Sequence, residues 1–350
     1  MATKVTLQDI ADALGVSRNT VSKAINNTGV LAESTRQKVL EKAIAMGYKQ
    51  FSYANSVADI KNPSFTRNKA AGEIALFTGG LLNNSHFAST MIDKFQNEVS
   101  ILGYSLTMHR VDENNVTDLS LPLSFNPDNT KAIVCIEMFN HPYCEMLCEL
   151  DIPVLMIDAP VASYWKPLNA DILLMDNSTS IYTVINDMSK KGMTKIGFVG
   201  QVTHCRSFYE RFTAFREALY INNLEFNEKY CLSEVHSHDS HYKDYLFKAL
   251  QNMEELPEMF ICANDFVALD LLYGLRKLGI ECPRDIKLFG FDDSPESKIM
   301  TPSLSTSHIH SQIIGYSAAN MVMSRIEQPD LNYRITYTET DLIYRESTKM

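Results

Sequence analysis

No run of apolar residues in this 350-residue chain reaches the length of a membrane span, which argues against an integral membrane protein. The opening "MATKVTLQDI" lacks the apolar core of a secretory signal, so a cytoplasmic location with no membrane partner is expected. Cysteine is too scattered for a disulfide framework: seven residues, an odd number, at 135, 144, 148, 205, 231, 262 and 282. Cys144 and Cys148 stand one helical turn apart with no second pair, so no zinc site is expected and reduced, buried thiols fit better. The GxxxxGK[ST], GxGxxG and GxSxG patterns are missing, and with them the commonest signatures of phosphate-binding loops, dinucleotide sites and hydrolase elbows. No enzyme and no cofactor is therefore expected. Short-period repeats and low-complexity tracts are missing too.

What remains is an ordinary globular composition, 45% hydrophobic and 21% charged, long enough for two or three domains. Charge is unevenly shared. Residues 1–69 hold ten Lys/Arg against five Asp/Glu, net +5, whereas the whole chain nets −10 and the remainder therefore −15. A small basic head on a large acidic body suits a nucleic-acid reader attached to something with another job.

The head carries a specific pattern. Thr6 and Asp9 have capping-box spacing, and Leu7, Ile10, Ala11 and Leu14 recur at helical period until Gly15 ends the helix. Ser17 is the next N-cap, with Val16 placed to staple against Val21. The second helix turns Val21, Ala24 and Ile25 inward and leaves Arg18, Asn19, Ser22, Lys23 and Asn26 outward. Two helices joined by a glycine turn, the second presenting Arg, Asn and Lys, describe a helix-turn-helix. The competing reading is a plain helical hairpin with a solvated face; the basic charge favours DNA.

A third helix is expected over 33–46, with Val39, Leu40, Ala43 and Met46 inward. A polar bridge then runs over 48–71, with a helical turn or two around Ala54–Ile60 ended by Asn62-Pro63. From Ile74 the chain alternates short apolar runs, at 73–78, 131–138, 152–158, 195–200, 258–263 and 286–291, with helical patterns at 88–102, 178–192, 207–222 and 265–279. That rhythm predicts βαβ units and parallel sheets covered on both faces.

"VTLQDIADALGVSRNTVSKAINN", "TRQKVLEKAIAMGYK", "ANDFVALDLLYGLRKLGIECPRDIKLFGFDDSP", "PSLST" and "LIYREST" occur here in the order found in the lactose/galactose-repressor family of bacterial transcription regulators. The resemblance covers nearly the whole chain. It implies an all-α helix-turn-helix headpiece over 1–50 and a hinge helix and linker over 51–71. An α/β body like a periplasmic binding protein would follow over 72–350. The body would comprise two doubly wound parallel-sheet subdomains, about 72–175 plus 307–336 and 176–304 plus 337–350, with the effector between them. The family acts as dimers on near-palindromic double-stranded operators; no leucine heptads follow "LIYREST", so a homodimer is expected.

Carried over residue by residue, Arg18, Asn19 and Lys23 match base-reading positions. Arg or Lys can serve guanine O6/N7 and Asn can serve adenine. Ser17, Thr20, Ser22 and Asn26 match phosphate contacts, which fix register without reading sequence. Ala54 and Val57 match the hinge residues wedged into the minor groove. Val57 stands where leucine is usual, and Asn55 where an arginine is common. Ala32 replaces a usual Ser or Thr cap, a loss of about 1 kcal/mol.

In the body, Arg211 matches the effector-binding arginine, a fork suited to paired hydroxyls, a carboxylate or a phosphate. Asn264, Asp292 and Asp158 match polar contacts at strand ends. The blander alternatives are that Asp265 and Asp293 are N-caps and Arg211 a surface charge. The loop "TGGLLNNSHF" departs from the family, leaving Asn84 and Phe87 as looser effector candidates. Tyr164 and Trp165 could stack on a sugar or merely pack a surface loop. Ile309, between His308 and His310, replaces a frequent glutamine. His236, His238, Asp239 and His241 have a spacing open to a metal, although cleft-lining polar groups are the preferred reading. The expected function is an effector-controlled DNA-binding regulator, a repressor, answering to a sugar. The alternative is a sugar-binding or sugar-processing protein of the same fold without regulatory DNA binding.

Overall fold

The computed structural model describes residues 5–25, 32, 35–36, 38–39, 42–43, 46, 71–79, 86–233 and 242–349. The chain divides into two compact units, Met1–Lys69 and Ala70–Met350.

In the first unit, helix α1 (Leu7–Leu14) starts on the expected capping box. Asp9 N–H donates to Thr6 Oγ1 at 3.3 Å and Thr6 N–H donates back to Asp9 Oδ2 at 2.8 Å. Gly15 closes it at φ 64°, a left-handed position that glycine takes without a Cβ penalty. Helix α2 (Arg18–Ile25) is capped by Ser17, whose Oγ accepts from Thr20 N–H at 3.0 Å. Ile10, Ala11, Val21 and Ala24 are buried together with Val39 and Ala43, and half-buried Met46 packs against them, so the three described inward residues of the expected third helix join the same core. Val16 packs against this cluster as the staple predicts, whereas Ile25 is only half-buried.

The second unit holds two parallel sheets. Strands β1 (Gly72–Thr78), β2 (Tyr104–Arg110), β3 (Thr130–Ile136), β4 (Val154–Ile157), β5 (Asp171–Met175) and β10 (Ile335–Thr338) form a six-stranded sheet ordered β10-β5-β4-β3-β1-β2. All five pairings are parallel. Strands β6 (Ile196–Val199), β7 (Met259–Cys262) and β8 (Lys287–Phe289) make a second, three-stranded parallel sheet. Strand β9 (Thr306–Ile309) pairs antiparallel with β11 (Thr340–Ile343).

Helices cover both sheets. On one face of the large sheet lie α3 (His86–Ile101) and α10 (Ser311–Glu327). The other face receives α4 (His141–Cys148). The small sheet lies between a pair formed by α5 (Thr179–Lys190) and α6 (Arg206–Ile221) and a pair formed by α7 (Tyr242–Asn252) and α8 (Asp265–Lys277). A short helix, α9 (Pro295–Ile299), follows β8. Both faces of each sheet are dry, which explains strands such as "AIVCI" that are apolar without alternation.

The chain passes between the sheets more than once. β5 ends the large sheet's first stretch and the chain moves on through Asp176 and Asn177 to α5; β9 leads into α10, and β10 leads into β11. The division expected after residue 336 falls inside β10, which stays in the large sheet to Thr338. The segment expected to begin at 307 starts inside β9, which bridges Asp292 through His308. The reason is register: β10 aligns Thr338 with Met175, so the chain cannot leave that sheet before Glu339. All seven cysteines are free thiols, four of them buried. Among the described residues, no helix is long and apolar enough to cross a membrane.

Candidate effector site and DNA-reading helix

Three acidic side chains follow strand ends. Glu137 comes after β3, Asp158 after β4 and Asp292 after β8, all with positive φ, at 54°, 59° and 116°. Each lies just beyond the carboxyl end of a parallel strand, where doubly wound sheets open to ligands. Positive φ is uncommon outside glycine, and Asp is among the residues that take it most readily.

Arg211 stands among them on α6. It is not a surface charge: only 3% of it is exposed. Its Nε donates to Asn177 Oδ1 at 2.9 Å and its Nη1 to the Ala263 carbonyl at 2.7 Å. The guanidinium carbon lies 3.6 Å from the ring centre of Phe291, a stacked cation–π contact, with Phe208 at 5.7 Å. Nη1 is 3.9 Å from Asp292 Oδ1. Three anchors leave the arginine little rotamer freedom, so the entropic cost of ordering it is met before any ligand arrives.

Burial raises the Asp292 carboxyl above its ordinary range; Arg211 opposes this, and Asp265, Glu137 and Asp158 add to it. Asp158 is also raised by burial, against hydrogen bonds from Ala159, Cys205 and Ser207. Its Oδ1 accepts from the N–H groups of Ala159 at 2.7 Å and Ser207 at 3.2 Å, so it ties the β4 loop to the first turn of α6. Gly200, at the end of β6, lets two strand ends approach closely. A Cβ there would meet the Ala263 Cβ at 2.3 Å, displacing the residue whose carbonyl holds Arg211.

The remaining candidates divide. Asn264 caps α8, its Oδ1 accepting from Val267 N–H at 2.9 Å. The expected alternative caps are therefore incorrect. Asp265 is buried and accepts from Ser294 N–H and Thr306 Oγ1, while Ser294 caps α9. Asp293 binds His308, Lys298 and Arg345. Asparagine took the cap because its oxygen reaches the third amide while the following aspartate turns into the interior. Phe87 packs against the large sheet's core cluster, which includes Phe291. Tyr164 packs against the protein, as the second alternative has it: its ring lies 4.2 Å from the Arg206 guanidinium carbon and 5.3 Å from the Tyr209 ring. Trp165 is 71% exposed. Asn84, His236, His238, Asp239 and His241 lie outside the described residues.

Sequence reasoning missed Asn177, Phe291, Glu137 and Glu210. Phe291 reads as the end of a strand's apolar run. Asn177 follows a strand that opens on Asp171 and so gives no clean apolar signal.

On α2, Arg18 and Asn19 are exposed and Lys23 and Ser22 half-buried. Ser17 and Thr20 share a hydroxyl–hydroxyl bond of 2.8 Å, so two of the nominated phosphate contacts order one another. Asn26, Ala54 and Val57 lie outside the described residues.

Residues 6–50 match the model for bacterial regulatory proteins of the lacI family, and residues 185–348 match that for a periplasmic binding protein-like domain. The chain is 25% identical over 352 residues to the HTH-type transcriptional repressor PurR of Haemophilus influenzae, covering 98% of each. Among solved structures it resembles a transcriptional regulator CelR–cellobiose complex, at 20% identity and TM-score 0.65, covering 98% of this chain and 99% of that one. It also resembles the lac repressor dimer bound to operator and the anti-inducer ONPF, at 17% identity and TM-score 0.62, covering 99% of both. With its capped two-helix head matching the lacI-family model and its two-sheet body resembling solved lacI-family regulators end to end, the chain is similar to bacterial regulatory proteins of the lacI family over nearly its whole length.

Proposed function

We propose that the chain is a transcriptional repressor that binds a near-palindromic operator as a homodimer and releases or grips it according to a sugar bound in the body. The observation that carries this reading is the setting of Arg211, buried, stacked on Phe291 and 3.9 Å from Asp292 among strand-end carboxylates. A cationic fork beside carboxylate acceptors and an aromatic edge matches a hydroxyl-rich ring, whose groups both donate and accept. The relatives point the same way: one resembling structure holds cellobiose, and another is a dimer on operator DNA.

In this reading Arg18, Asn19 and Lys23 read bases, Ser17, Thr20, Ser22 and Asn26 hold phosphates, and Ala54 and Val57 enter the minor groove. Arg211, Asp292 and Asp158 hold the effector, with Asn264, Phe87 and Asn84 at the margin. The effector must bind one arrangement of the two sheets better than another, or nothing shifts.

A thermal-shift screen of the full chain against neutral sugars, sugar phosphates and nucleobases tests the body. A ligand at a hundred times its Kd adds about 2.7 kcal/mol. Selection from a random DNA library tests the head. Failure of every ligand to shift melting, or enrichment of no two-fold site, overturns the corresponding half.

A further inference from the structure

The carboxylate of Glu210, next in sequence to Arg211, gathers four donors. Its Oε1 accepts from Tyr164 OH at 2.7 Å, Tyr337 OH at 2.8 Å and Arg206 Nε at 2.9 Å; its Oε2 accepts from Asn177 Nδ2 at 2.8 Å. Arg206 Nη2 donates to the Tyr337 oxygen at 3.2 Å, which closes a ring of bonds. Only 6% of the Arg206 side chain and 12% of the Glu210 side chain is exposed.

The donors come from different halves of the body. Tyr164 ends a 3₁₀ turn that follows β4, and Tyr337 lies on β10, so both belong to the six-stranded sheet. Arg206, Glu210 and Arg211 belong to α6, which packs on the three-stranded sheet. Asn177 lies on a segment that passes between the sheets. The cluster therefore spans the two halves, centred on the residue that precedes Arg211 on α6.

Its chemistry has a direction. A carboxylate only accepts, so Asn177 must turn its amide nitrogen to Glu210, and that leaves its oxygen for Arg211 Nε. Ser207 Oγ, 3.3 Å from the same nitrogen, agrees with this orientation. We propose that Glu210 is a positioning residue: it fixes the Asn177 amide, and hence the Arg211 guanidinium, only while Tyr164 and Tyr337 hold the two sheets together. The arginine is then set for ligand in the latched arrangement and loosened when the halves part. The consequence for effector binding rests on the reading of Arg211 given above; the positioning itself does not.

Hydrogen exchange at arginine Nε, followed by ¹H–¹⁵N spectra of the full chain without any ligand, tests this. The Arg211 signal is the one lost in Arg211→Lys. Its exchange should quicken at least tenfold in Glu210→Gln, whose amide cannot accept from four donors. It should quicken at least threefold in Tyr164→Phe/Tyr337→Phe, although neither tyrosine touches Arg211. Arg325 Nε, held by Asp171 at 3.1 Å, should be unchanged in both. Arg211 exchange within twofold of wild type in either variant overturns the proposal, even where melting falls. If Glu210→Gln fails to fold, the tyrosine pair decides alone, since both rings are half-exposed and their loss costs little packing. Failure of the effector reading would appear separately, as an undiminished sugar-induced thermal shift in Arg211→Ala.

Discussion

Arg211 and Phe291 form a stack of 3.6 Å between an α6 side chain and a ring two residues beyond β8. The ring covers one face of the guanidinium, and Asn177 and Ala263 take two of its N–H groups. The ion is thus held without a hydrogen bond to a carboxylate, its ion pair with Asp292 being a loose 3.9 Å. An arginine so placed keeps donor capacity for something else.

Arg211→Ala should abolish the effector's influence while leaving operator affinity without effector within about threefold, a difference of roughly 0.65 kcal/mol. Phe291→Leu should weaken effector binding by about 0.5–2 kcal/mol, the range of a cation–π contact. Calorimetry and gel shift on the same preparations check both. Undiminished effector binding by Arg211→Ala removes the assigned role.

Asp293 gives a pH signature. Its carboxyl is lowered from 3.8 to about 2: burial opposes this, and His308, Arg345 and Lys298 outweigh it. A lowered pKa means stability that is present above the unfolded value and lost as pH falls through the folded one. Asp293→Asn should therefore cost about 2 kcal/mol at pH 7 and about half that near pH 3. Urea midpoints at the two pH values decide; an equal cost at both would contradict the ion-pair origin.

Arg18→Ala or Lys23→Ala should cost about 1–3 kcal/mol on the preferred site and relax preference at particular base pairs. Ser22→Ala should weaken all sequences alike. Library selection with each variant separates these outcomes, and an unchanged motif for Arg18→Ala would move the reading face elsewhere.

Under the proposed reading, with Val57 of each protomer wedged into the minor groove, Val57→Leu adds one methylene to each of two wedges, worth about 0.8 kcal/mol apiece when buried. Specific binding should tighten by up to about 1.6 kcal/mol with the non-specific, salt-dependent part unchanged. If Val57→Leu and Val57→Ala both leave affinity and DNA bend angle unaltered, the segment only tethers.

Local chemistry was the readable part of this chain. Thr6, Asp9, Gly15 and Ser17 cap and end their helices where spacing says, because caps depend on neighbours within three residues. The strands at 73–78, 131–138 and 195–200 are plain because burial on both faces demands unbroken apolar runs. Tyr104–Arg110 was not, being an edge strand that alternates polar and apolar residues. β9, β10 and β11 owe their partners to chain segments more than thirty residues away, which no local pattern encodes. The cleft shows the same limit. Arg211 stands out by resemblance, but the roles of Asn177 and Glu210 arise only when α6 meets the end of β5.

The left-handed backbone at Glu137, Asp158 and Asp292 also bears on how such a protein can change its ligand over generations. At these positions asparagine and glycine can replace the acid with little backbone strain, whereas valine, isoleucine or threonine would force the loop to rebuild. The accessible mutational steps are therefore exchanges of charge for amide, or deletions of the side chain. Under the proposed effector reading, specificity can drift among ligands of similar shape by swapping acceptors for donors at one of these residues at a time. A shift to a much larger or more apolar ligand has to come from the neighbouring loops.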